Sequence, residues 1–71
     1  MKTSIQSYQF QVVTNGRYGA TFVGYPNQKT YLGSTEGARE QACQKARSLR
    51  EFGPCKVEVS LNGQHVETIR L

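Results

Sequence analysis

Seventy-one residues suffice for one domain whose core is of marginal size. A hydrophobic content of 37% with a mean hydropathy of -0.58 is low but globular, and no apolar run approaches the ~20 residues of a membrane span. Nine Lys and Arg against five Asp and Glu leave the chain at +4 with a pI near 9.4, which favours a polyanionic partner.

The first segment, Tyr8, Phe10 and Val12, alternates before Asn15-Gly16, and Tyr18, Ala20 and Phe22 alternate after it. Alternation in twos marks half-buried strands, and Asn-Gly is a hairpin signal because both central residues of a type I′ turn need φ > 0. Lys29-Thr30-Tyr31-Leu32 reads as a third short strand, closed by Gly33-Ser34-Thr35. A helix from about Glu36 to about Phe52 follows, with Thr35 as N-cap and Ala38, Ala42, Ala46 and Leu49 along one face. Glu36 and Glu40 suit the positive end of its dipole, and Lys45, Arg47 and Arg50 the negative end. Gly37 weakens its start by up to ~1 kcal/mol relative to alanine. Gly53-Pro54 stops it, with Gly53 as the left-handed residue just beyond the helix.

Beyond Pro54 the period of two returns. Cys55, Val57, Val59 and Leu61 point one way and Lys56, Glu58 and Ser60 the other, before a second Asn-Gly at Asn62-Gly63 leads into a last strand from His65 to Arg70. That strand has the weakest facing pattern and reads as an edge. The expected architecture is a single α+β domain over residues 1–71, ordered β-β-β-α-β-β, with one helix packed on one face of an antiparallel sheet.

If Tyr8, Phe10, Val12, Tyr18, Ala20, Phe22, Thr30 and Leu32 face the helix, the other face carries Gln9, Gln11, Arg17, Thr21, Val23, Tyr25, Lys29 and Tyr31. That face is polar, basic and aromatic. Arg, Lys and Gln reach phosphates and base edges, and Tyr25 and Tyr31 offer rings for stacking on unpaired bases. Gln9, Gln11, Arg17, Thr21, Tyr25, Lys29 and Tyr31 are therefore the expected nucleic-acid contacts. The plainer alternative is a solvated sheet face built from good strand residues.

No catalytic constellation is legible: His65 has no nucleophile at an interpretable spacing, and the Glu36/Glu40 pair is explained by the helix dipole. Cys43 and Cys55, with one histidine, fall short of a zinc ligand set and read as core packing. Neither an enzyme nor a metal or other cofactor is expected. The start of the chain has no apolar stretch of the secretory kind, so a cytoplasmic protein is expected, in which a disulfide would be unusual.

Gly16-Arg17-Tyr18-Gly19-Ala20-Thr21-Phe22, then Lys29, Tyr31, Leu32, Gly33, Thr35, Ala38 and Ala42, resembles the three-stranded-sheet-plus-helix DNA-binding domain of plant ethylene-response factors and integrase arm-binding domains. The resemblance implies a sheet seated in the major groove and DNA contacts at Arg17, Thr21 and Lys29. It covers about half the chain, and departs from the family at Gln9 and Gln11, where arginine and tryptophan are usual, and in the hairpin after the helix. Tyr18, Ala20, Phe22, Pro26, Gly33, Thr35 and Ala38 also resemble HicB-like antitoxins, which have a partial ribonuclease-H-like fold. Pro26-Asn27-Gln28-Lys29 here replaces their acidic proline-bounded stretch. That second resemblance implies a protein partner docked on a sheet edge, the same edge that would serve a homodimer. The leading expectation is a small nucleic-acid-binding protein, with DNA as ligand and no membrane association; a protein-binding adaptor or antitoxin-like inhibitor is the alternative.

Overall fold

A computed structural model describes residues 6–71, which form one α+β domain. Its elements are β1 (Tyr8–Thr14), β2 (Arg17–Gly24), α1 (Thr35–Ser48), a 3-10 turn (Arg50–Phe52), β3 (Cys55–Leu61) and β4 (Gln64–Arg70). The four strands make a single antiparallel sheet in the order β2-β1-β3-β4. Both hairpins sit where the Asn-Gly pairs put them. Asn15 and Gly16 have φ of 50° and 80°, and Asn62 and Gly63 have φ of 51° and 89°, the positive values a type I′ turn requires.

The helix lies chiefly over β1 and β2, and more lightly over β3. Its seam of Ala38, Ala42 and Ala46 is fully buried against Phe10, Val12, Val57 and Val59. Three methyl groups in line let the helix axis come close to the sheet, and the large side chains filling the layer come from the strands. Cys55 is buried in the same core and Cys43 borders it; both are free thiols. Leu49 and Leu71 close one end of the core and Tyr8 the other, its ring stacked on Phe10 at 6.3 Å between centroids.

Three local expectations are corrected. The helix is capped one residue earlier than Thr35: Ser34 Oγ accepts from the Gly37 amide at 3.0 Å. The helix ends at Ser48, and the chain reaches Phe52 through the 3-10 turn. Gly53 has φ 146° and ψ -178°, an extended rather than helical left-handed geometry, with its backbone against the Asn15 side chain.

A fourth correction is larger. Lys29–Leu32 is not a strand. Residues 25–34 leave β2 and return to their starting point: the Tyr25 amide donates to the Gly33 carbonyl at 2.8 Å, and Tyr25 and Ser34 form an isolated bridge. The return is forced by the position of the helix start, which rests on Gly24. A Cβ there would lie 2.7 Å from Thr35 Cα. A loop whose ends must meet cannot also run beside β2, so the β-favouring Thr-Tyr-Leu run is spent in turns, with Leu32 70% exposed.

Candidate nucleic-acid interface

Strand register fixes what each face of the sheet presents. On the face without the helix the pairings give three cross-strand rows. The first is Tyr18–Val13–Lys56–Arg70, the second Thr21–Gln11–Glu58–Thr68, the third Val23–Gln9–Ser60–His65. Each row crosses all four strands. Among the described residues no other element covers them.

Each edge strand carries a bulge. In β2, Gly19 and Ala20 together oppose Val12, because Gln11 pairs with Thr21 while Val13 pairs with Tyr18. In β4, Val66 is the extra residue between Glu67, opposite Val59, and His65, opposite Ser60. The β2 bulge reverses the facing of everything before it in that strand. Tyr18 therefore stands on the open face, 68% exposed, whereas alternation from Phe22 had put it under the helix. Arg17, opposite Thr14, moves to the helix side.

The expected contacts divide accordingly. Gln9, Gln11 and Thr21 lie on the open face, and Gln11 Nε2 donates to the Gly19 carbonyl at 2.9 Å, closing over the bulge. Tyr25 follows the last residue of β2 and is exposed. Arg17, Lys29 and Tyr31 are not brought to that face. Lys29 borders a hollow with Tyr8, Ser34 and Glu36 at the helix start. The Tyr31 hydroxyl donates to Glu40 Oε1 at 2.8 Å on the outer side of the helix. That hydrogen bond, with the carboxylate charge beside it, raises the Tyr31 phenol above its ordinary range.

Other residues stand where those were expected. Lys56 and Arg70 are direct cross-strand partners on the open face, with Lys56 Nζ 3.3 Å from Glu58 Oε2. Val13 lies between them and Tyr18 and is only 4% exposed although no helix covers it. Its cross-strand partners, Tyr18 and Lys56, both have side chains long enough to lie over it. On the same face His65 Nε2 and Thr68 Oγ1 are hydrogen-bonded at 2.8 Å. The period of two after Pro54 already put Lys56, Glu58 and Ser60 on one face. What single-strand periodicity lacked was the β1–β3 pairing that joins them to Gln9, Gln11 and Val13. Gly19 was the available sign of the bulge, since a glycine inside a strand pattern often marks one.

The charges are sorted by position as well as by face. The β1–β2 turn, the C-terminal end of α1, the start of β3 and the end of β4 all meet at one end of the molecule. The Asn15 amide donates to the Pro54 carbonyl at 2.8 Å, and the Leu71 amide to the Cys55 carbonyl at 3.3 Å. Arg17, Lys45, Arg47, Arg50, Lys56 and Arg70 are carried by those segments, and Glu51 is the acid among them. Arg39 is engaged elsewhere. Its guanidinium is 2.8 Å from Glu67 Oε1 and lies 5.7 Å from the centre of the Phe10 ring, and the hydrogen bond to Glu67 raises its pKa.

No family model, curated protein or solved structure matches the chain. Its chemistry therefore rests on the site alone. Among the described residues no helix is long and apolar enough to cross a membrane.

Proposed function

We propose that the protein binds nucleic acid through the open face of its sheet, at the end where the basic residues gather. The observation that carries this reading is the first row: an exposed aromatic ring, Tyr18, in line with Lys56 and Arg70 on a surface that no other described element covers. A ring gives a base something to stack on, cations take the phosphates, and the second row offers amide and hydroxyl groups at Gln11, Thr21 and Thr68. A sheet face that stacks bases and tracks a backbone fits a single strand better than a duplex, whose bases are already stacked. DNA and RNA are both accommodated by this chemistry.

Lys56 facing Arg70 adds to the case. Like charges directly opposite across a strand pair are destabilising, so the pair is a structural cost that an anionic partner would offset. Glu58 neutralises only one of the two. Capture of a protein by strand addition is the weaker reading, because both edge strands carry bulges, and bulged edges pair poorly with another chain.

The test is binding of a single-stranded oligonucleotide across a range of salt concentrations, by fluorescence anisotropy. The parent should lose affinity steeply as salt rises. Replacing Lys56 and Arg70 by alanine should lower the log–log slope by about 0.7 for each phosphate that is no longer neutralised. Tyr18→Ala should weaken binding, at about 1–3 kcal/mol for one stacked base, and leave that slope unchanged. A parent indifferent to both DNA and RNA at low salt would end this reading.

A further inference from the structure

The first row runs into a concave corner. A hollow of about 460 Å³ opens there, bordered by Val13, Asn15, Gly16, Pro54, Lys56 and Arg70. The hairpin turn forms one wall and the Gly53-Pro54 segment another, held together by the hydrogen bond from the Asn15 amide to the Pro54 carbonyl. Two cations border it, Cys55 and Leu71 complete the lining, and no lining side chain is acidic. Glu58, in the next row, is the neighbouring anion, and it engages Lys56 alone.

We infer that this hollow receives the terminal phosphate of a bound strand, so that the protein prefers phosphorylated ends. The inference rests on the proposed binding face and adds where a strand stops on it. A phosphodiester inside a strand carries one charge and continues on both sides, which suits the flat rows. A phosphomonoester carries up to two charges at neutral pH and ends the chain, which suits a walled corner with two cations. Lys56 and Arg70 are cross-strand partners, so their backbones are ~5 Å apart and their side chains can converge on one phosphate from two sides. Lys56 exchanges Glu58 for the ligand. Arg70, with no ion pair among the described residues, supplies the planar fork that fits phosphate oxygens.

The experiment compares one single-stranded sequence made with a 5′-phosphate, with a 3′-phosphate and with hydroxyls at both ends, at one fixed salt concentration. One phosphorylated form should bind about tenfold tighter than the hydroxyl form, the scale of one charge-assisted contact. Arg70→Gln should weaken all three strands and abolish the preference, leaving the phosphorylated and hydroxyl forms within about twofold of one another. Equal affinity for all three strands would overturn the inference and leave the binding face standing. If no strand binds, the binding face fails, and titration with inorganic phosphate decides the hollow separately. Amide resonance shifts confined to Gly16, Lys56 and Arg70 would keep it as a phosphate site, and their absence would overturn it.

Discussion

The two faces of the sheet are built from the same strands yet were not equally readable. The covered face is one set of apolar side chains, Phe10, Val12, Val57 and Val59, closed by an alanine seam. Its membership follows from alternation within each strand, and burial enforces it, since a shift of one residue would expose the whole set. The open face has no such enforcement. Its content depends on which strands are neighbours and where a bulge reverses the alternation, and both are decided between strands. The face proposed to bind is thus the one that periodicity describes least well.

The sharpest way to break the comparison is at the closest approach on the covered face. Gly37 read from composition is a weak spot in the helix. In the structure a Cβ on it would collide with the Tyr31 carbonyl, because the loop 25–34 crosses directly over the first turn. Gly37→Ala is therefore expected to destabilise by about 3 kcal/mol or more, against the small gain that helix propensity alone forecasts. Urea midpoints measure it, and a stabilised variant would show that the loop does not lie there.

Next in size is the seam. Ala42 is fully buried and Gln44, two residues on, is exposed. Ala42→Leu should cost about 1–3 kcal/mol by overpacking, and Gln44→Leu close to nothing. Equal midpoints for the two variants would remove the distinction between a packed and an unpacked side of the helix.

The same contrast explains what sequence reading reached and what it missed. The hairpins were legible because Asn-Gly encodes a backbone geometry that few other pairs tolerate. The helix was legible because its apolar spacing sets where it lies, although it stops at Ser48, ahead of Gly53-Pro54, and the last strand read as an edge is one. Thr30-Tyr31-Leu32 misled because strand propensity describes a side chain's fit to a pleated surface, and here the chain had to return to Gly24, where no such surface was free. Arg17 and Tyr18 exchanged faces through a single bulge at Gly19-Ala20. Lys29 and Tyr31 left the expected site with the strand that failed to form. Lys56 and Arg70 entered it through pairings that no single strand records.

The smallest effect lies at the border of the two faces, on β4, which the helix meets through a side chain. Glu67 is on the covered side by register, opposite Val59, yet it is exposed and meets Arg39 of the helix. The hydrogen bond from the Arg39 guanidinium, reinforced by its charge, holds the Glu67 carboxyl below the usual carboxylate range. A depressed folded-state pKa contributes stability that is present above the unfolded value and is lost as pH falls through the folded one. The contribution should thus be complete at neutral pH and disappear under acid conditions below the ordinary glutamate range. Both partners are well exposed, so salt should screen it strongly and its effect on melting should be slight. The readout is therefore the carboxyl carbon resonance of Glu67 followed through acid pH. In Arg39→Gln its midpoint should rise towards that of an unperturbed glutamate, while the circular dichroism spectrum stays as it was. A Glu67 midpoint unmoved by that substitution would mean that helix and β4 do not meet, and that the covered face ends at β3.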